Sequence, residues 1–179
     1  VAKRIMFVKT LNAGQICLSP DYIMIKKGLE QKLIEELKKV FSTFYPENNA
    51  ADYTSMVNDH HHDRMQEYLL DAKNKGADVI NLGDFDSSEK NTITTKVLLN
   101  VNDDMRVMQE EIFGPLLPIM VYEDLSEAVS YVNNHDHPLG LYFFGNKKSE
   151  QNYVINNTRS GGVTINAVSY THLTLPTTD

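Results

Sequence analysis

The feature that most constrains the fold of this chain is an alternation of two apolar periods. Segments with hydrophobic residues three and four apart, as on one face of a helix, take turns with short runs rich in β-branched and aromatic residues, as in strands. Gly28 to Phe44 places Leu29, Leu33, Leu37, Val40 and Phe41 on one stripe with Glu35, Lys38 and Lys39 opposite, and Pro46 follows as a stop. His61 to Lys75 does the same with Met65, Tyr68, Leu69 and Ala72, and Gly76 stands where a C-terminal cap is expected. Ile5, Val8 and Leu11 give a short helix running toward Gly14, Asp124 and Ser126 open one through Val132, and Asn146 to Asn156 reads as the last. Between them lie strand-like runs at Tyr22 to Ile25, Asp78 to Leu82, Thr92 to Val101, Leu116 to Tyr122, Leu139 to Phe144 and Val163 to Asn166. Helices alternating with buried strands predict an α/β fold, a largely parallel twisted sheet flanked by helices, read as one domain over residues 1–166.

Composition narrows the partners. The 179 residues carry 17 Lys+Arg against 24 Asp+Glu, a formal charge of -7. An acidic chain without a Lys/Arg run lacks the clustered positive charge that releases counterions from a phosphate backbone, so no nucleic-acid partner is expected. The longest apolar runs, Leu116 to Tyr122 and Leu139 to Gly145, fall far short of the roughly 20 apolar residues a membrane helix needs. No membrane segment is expected, nor a signal peptide at the N-terminus. The lone cysteine, Cys17, leaves no internal disulfide, which is compatible with a reducing, cytoplasmic compartment.

That thiol sits in Asn12-Ala13-Gly14-Gln15-Ile16-Cys17, at the junction between the first helix and the Tyr22 strand. A thiolate attacks carbonyl carbon, and backbone N–H groups at such a turn favour the anion and can hold an oxyanion. Gly14 lets the backbone approach a substrate closely. On spacing alone, a small buried hydrophobe is the competing reading for a free cysteine.

The same segment, followed by Leu18-Ser19-Pro20-Asp21-Tyr22, resembles the active-site cysteine motif of the aldehyde dehydrogenase superfamily. The likeness continues in order through Gln109-Glu110-Glu111-Ile112-Phe113-Gly114-Pro115, Pro138-Leu139-Gly140-Leu141-Tyr142-Phe143-Phe144 and Ser160-Gly161-Gly162-Val163-Thr164-Ile165-Asn166. Four motifs in order make the match specific, and it covers essentially Val1 to Asn166. The sequence after the cysteine and the Leu141-to-Phe144 run look like the class 3, fatty-aldehyde and coniferyl-aldehyde branch. Phe7-Val8-Lys9 stands where that branch usually has Trp-Gly-Lys.

The resemblance implies a function residue by residue. Cys17 matches the nucleophile that adds to an aldehyde, giving a thiohemiacetal that loses hydride to NAD or NADP and leaves a thioester for water to cleave. Glu111 matches the glutamate that binds the nicotinamide-side ribose hydroxyls, and Phe113 the aromatic packed beside that ribose and ring. Chemically, a carboxylate accepts well from two vicinal hydroxyls. Of the neighbouring pair only Glu111 is assigned; Glu110 reads as a solvated turn carboxylate, and Asn12, Gly14 and Gln15 shape the turn. The substrate implied is a small-molecule aldehyde, and the parent enzyme a homodimer.

Other candidates read as structure. Three consecutive imidazoles, His60, His61 and His62, point about 100° apart on a helix and cannot converge on one ion. Asp84 with Asp86, and Asp103 with Asp104, lack the spacing of a calcium loop, and Gly161-Gly162 is a tight turn. The family's general base, its oxyanion asparagine and most of its cofactor half lie upstream of the cysteine motif, so the chain reads as a catalytic-domain fragment that alone would be inactive. A cysteine acyltransferase or hydrolase is the other class considered; it would need a histidine base, and His60, His135 and His137 stand in no partner motif. Residues 167–179 have neither period. Val168 to Asp179 resembles translated adapter sequence and is expected to carry no function.

Overall fold

A computed structural model of the chain describes residues 1–46, 52–84 and 90–168. They fall into two compact units, Ala2–Glu123 and a second built from Asp124 onward with Val1. In the first, α1 (Ala2–Thr10), α2 (Glu30–Phe44), α3 (Asp59–Asn74) and the one-turn α4 (Arg106–Gln109) accompany β1 (Ile23–Lys26), β2 (Asp78–Asn81), β3 (Lys96–Leu99) and β4 (Leu116–Tyr122). The strand order is β1-β4-β3-β2. β4 pairs in parallel with β1 and with β3, whereas β2 runs antiparallel to β3. The expected α/β class with a parallel-rich sheet is therefore the observed one.

The helical stripes read from the sequence are the buried faces. α2 buries Ile34, Leu37 and Phe41, and α3 buries Met65, Tyr68, Leu69 and Ala72. A core of Met65, Tyr68, Leu69, Ala72, Leu98, Met105, Ile112 and Leu116 joins α3 to β3, β4 and the segment before β4. Asn58 starts α3 by accepting from the His61 N–H at 2.9 Å, as an N-cap should.

Three local differences have physical reasons. β3 is four residues rather than Thr92 to Val101. Thr94 and Thr95 are buried, and the Ile93 carbonyl is taken by a side chain instead of a strand: the Tyr53 hydroxyl donates to it at 3.1 Å and shares a hydrogen bond with Thr95 Oγ1 at 2.9 Å. α4 is too short to show a period. The first helix stops at Thr10, and Leu11–Gly14 turns with Asn12, Ala13 and Gly14 all at positive φ (52°, 54° and 73°).

The second unit contains α5 (Leu125–Asn133), β5 (Gly140–Phe143), α6 (Lys148–Asn157) and β6 (Gly162–Ile165), with β5 and β6 parallel. No helix among the described residues is long and apolar enough to cross a membrane. Asp86 and nearly all of the expected tail lie outside the described residues.

Candidate active site

The site grows from the turn that carries the thiol. Three successive left-handed residues are costly for side chains other than Gly and Asn, so Ala13, which is buried, marks strain held by its surroundings. Gln15 supplies much of that hold. Its Nε2 donates to the carbonyls of Asn12 (2.9 Å) and Ser55 (3.2 Å), and its Oε1 accepts from the Val57 N–H (2.9 Å). Asn12 Nδ2 reaches back to the Gln15 carbonyl at 3.2 Å. Two residues on, Cys17 is exposed. A free thiol at the surface of a tied-down turn is available for attack, which a buried filler would not be.

The turn closes directly onto the second motif. A Cβ built at Gly14 would run into the carbonyl oxygen of Gly114, so only glycine permits this approach. Gly114 ends the segment holding Glu111 and Phe113, which brings the first and second motifs into contact across about a hundred residues of sequence. Ile112 is the anchor of that segment, 1% exposed and inside the core, and it leaves Glu111 exposed on one side and Phe113 half-buried on the other. Phe113 sits at φ 49°, a conformation rare for a bulky residue.

Two polar side chains hold the backbone there, and a third holds the strip beside Asp21. The Arg64 guanidinium of α3 donates to the Glu111 carbonyl (3.0 Å), the Ile112 carbonyl (2.6 Å) and the Tyr68 hydroxyl (3.1 Å). The Asp21 carboxylate accepts from the Ile112 N–H at 3.2 Å. Lys9, fully buried on α1, donates from Nζ to the Pro20 carbonyl at 2.8 Å. Burial pushes the Lys9 ammonium down to about 8 against the opposing pull of Asp21. Burial likewise raises the Asp21 carboxyl, opposed by Lys9, the Ile112 N–H and Arg64.

The two neighbouring carboxylates separate cleanly. Glu110 accepts from the Tyr68 hydroxyl at 2.8 Å and lies 3.9 Å from Arg106. Glu111 has its backbone carbonyl engaged by Arg64, while its exposed carboxylate has no hydrogen bond to any described residue. A free carboxylate beside a half-buried aromatic fits a ribose diol and the ring next to it, whereas Glu110 is already committed to structure.

Lys9, Asp21 and Arg64 are the residues near the site that sequence reading did not single out. The available signal was Lys9 itself, a lysine four residues from Ile5 on the stripe that α1 buries. Among the described residues no group of three metal-ligating side chains converges, and no hydrogen bond ties a histidine to Cys17.

The remaining two motifs meet in the second unit. β5 and β6 pair from Gly140 with Gly162 to Phe143 with Ile165. The Asn166 side chain then closes the strand ends, accepting from the Gly145 N–H at 2.9 Å and donating to its carbonyl at 3.0 Å.

Comparison with known proteins agrees with this arrangement. A profile of the aldehyde dehydrogenase family matches residues 1–177. A probable coniferyl aldehyde dehydrogenase of Pseudomonas aeruginosa is 44% identical over 166 residues, 92% of this chain and 34% of that protein. The dimeric NADP-preferring aldehyde dehydrogenase of Rattus norvegicus is 37% identical over 177 residues, 98% of this chain and 38% of its own length. Among solved structures, the substrate-bound state of Staphylococcus aureus AldH superposes with a TM-score of 0.86 at 35% identity, covering 94% of this chain and 36% of that one. The chain thus spans about a third of the length of these relatives. It belongs to the aldehyde dehydrogenase family.

Proposed function

We propose that this chain is the nucleophile-bearing part of an NAD- or NADP-dependent enzyme that oxidises an aldehyde to a carboxylic acid. The observation that carries the reading is the closure of the Cys17 turn on the Glu111–Phe113 segment through Gly14 and Gly114, with the thiol and one carboxylate left free at the junction. Cys17 would add through its thiolate to the aldehyde carbon, forming a thiohemiacetal, with its own backbone N–H as one donor to the developing oxyanion. Glu111 would accept from the ribose hydroxyls and Phe113 would pack against the ring side of the ribose. A bound nicotinamide supplies the hydride acceptor. After hydride loss the acyl group rests on Cys17 as a thioester, whose hydrolysis returns the thiol.

The identity to coniferyl aldehyde dehydrogenases supports an aldehyde of the aromatic or long-chain kind, and the dimeric rat relative supports a homodimer. We place residues 1–166 within the catalytic domain, and a lone, unpaired cysteine supports a cytoplasmic setting. Of the cofactor contacts only Glu111 and Phe113 are assigned here, too few to offset the freedom a dinucleotide loses on binding. The 179 residues alone are therefore expected to oxidise no aldehyde.

The test is Cys17→Ala in the full-length protein encoded by the source gene. Aldehyde oxidation should disappear while cofactor affinity, measured by calorimetry, stays within about threefold. Wild-type turnover by the alanine variant would refute the assignment.

A further inference from the structure

We propose that Asp21, together with the buried Lys9 that holds the preceding residue Pro20, is a positioning residue that fixes the Cys17 turn against the Glu111–Phe113 segment; this rests on the roles given above to Cys17 and Glu111. The geometry is that of a two-sided clamp. Asp21 lies four residues after Cys17 and accepts from the Ile112 N–H at 3.2 Å, the peptide between Glu111 and Phe113. Lys9 is on the other side of the turn, eight residues before Cys17, is 0% exposed, and donates to the carbonyl of Pro20 at 2.8 Å. The residues between Lys9 and Asp21 are thus gripped at both ends. The residue next to the one that Lys9 holds is the residue that holds the partner segment.

A buried ammonium is expensive to desolvate, and an apolar side chain of similar length could fill the space that Lys9 occupies. A fully buried lysine donating to the carbonyl next to Asp21, at the place where two distant motifs must keep a fixed spacing, is explained by registry. Arg64, donating to the Glu111 and Ile112 carbonyls, braces the same segment from α3, so the clamp acts on a strip of backbone already stiff. Neither Lys9 nor Asp21 is assigned a contact with the aldehyde or the cofactor. Both act through Cys17 and Glu111.

The experiment uses the full-length enzyme with Asp21→Ala, Asp21→Asn, Lys9→Met and the double variant Lys9→Met/Asp21→Asn, with the exposed Lys27→Met as control. Turnover, KM and the rate of Cys17 alkylation by iodoacetamide, read on the Cys17 peptide without cofactor, are measured well below each variant's melting temperature. Misplacement of a reacting group by about 1 Å costs on the order of 100-fold, so Asp21→Ala should lower kcat about 100-fold, leave the aldehyde KM within about threefold and change the alkylation rate at least fivefold. Asp21→Asn keeps an acceptor for Ile112 but gives up the charge that strengthens that bond, and should lose roughly tenfold in kcat, as should Lys9→Met, which frees the Pro20 carbonyl. The double variant should be no worse than either single change, because the two bonds act in series on one strip of backbone. Should Asp21→Ala fail to fold, Asp21→Asn decides. Variants that melt earlier but keep kcat within twofold and an unchanged alkylation rate overturn the proposal, as does a double variant whose losses multiply. Cys17→Ala separates the two claims: its retained activity refutes the nucleophile, while its inactivity beside silent Asp21 and Lys9 variants refutes the clamp alone.

Discussion

Two pairs of motifs meet in this molecule, and they are joined by different physics. β5 and β6 meet along a parallel backbone ladder, in which every residue contributes the same N–H and C=O groups whatever its side chain. The Cys17 turn and the Glu111–Phe113 segment meet without a ladder. A glycine contact, a buried lysine, an aspartate and an arginine hold them. A ladder spreads its stability over many interchangeable bonds. A junction of a few side chains can place a thiol and a carboxylate on irregular backbone, but each anchor is irreplaceable.

The sharpest way to break that contrast is a single methyl group. Gly14→Ala adds a Cβ where the Gly114 carbonyl oxygen already sits, at φ 73°. The left-handed strain alone costs roughly 1–2 kcal/mol; since backbone must also move, a loss of about 3 kcal/mol or more and a fall in turnover of at least 100-fold are expected. Gly162→Ala, at the start of β6, meets nothing within 4 Å and should change the denaturation midpoint little. Equal losses from the two would erase the distinction between junction and ladder.

The buried lysine adds a pH dependence that the ladder lacks. Lys9 is held down to about 8 by burial, against an ordinary lysine value near 10.4 in the unfolded chain. Below pH 8 both states carry the proton and the cost of burying the charge is fully present. Between about 8 and 10.4 the unfolded chain binds more protons, so Lys9's contribution to stability improves as pH rises through that window. The stability of the wild type relative to Lys9→Met should therefore climb from pH 8 to pH 10, measured by urea unfolding. A flat or falling difference would contradict the burial of the ammonium.

A third comparison stays within the junction. Glu111→Gln removes a free carboxylate and should raise the cofactor KM and lower turnover by on the order of 100-fold in the full-length protein. Glu110→Gln, which touches only the Tyr68 hydroxyl and the Arg106 side, should leave both within about threefold. Similar behaviour of the two would mean that the motif register is off by one.

How much of this was legible in the sequence follows the same division. Periodicity located the helices and strands because the stripe Met65, Tyr68, Leu69 and Ala72, and the β-branched runs, reflect burial that each element imposes on itself. Motif resemblance pointed to Cys17 and Glu111 and read Glu110 as a solvated turn carboxylate, and the bond that the Tyr68 hydroxyl donates to Glu110 was not in that reading. Lys9 carried only the signal of its place on the stripe that α1 buries, and Asp21 and Arg64 were not legible. A charged residue is read as solvent-facing unless its partner is known, and here the partners are 11, 91 and 47 or 48 positions away. The left-handed course of Asn12 and Ala13 was hidden for a related reason: nothing in an alanine announces positive φ, which the Gln15 bonds impose from outside.

The smallest expected effect tests the ladder itself at a side-chain fastening beside its strand ends. Asn166 sits at φ 56°, a conformation asparagine tolerates better than most residues, and its amide makes two hydrogen bonds to Gly145. Asn166→Ala removes both, and at a net of about 1 kcal/mol for each such bond it should cost roughly 1–2 kcal/mol. Asn166→Gly gives up the same bonds but none of the backbone ease, so it isolates the hydrogen-bond part. The backbone bond from the Asn166 N–H to the Phe143 carbonyl at 2.7 Å survives either change, and β5 and β6 should stay paired, with their amide protons still protected from exchange. If Asn166→Ala instead exposes the amides of β5 and β6 to exchange, the ladder depends on that one side chain. The second pair would then be a junction of the same fragile kind as the first.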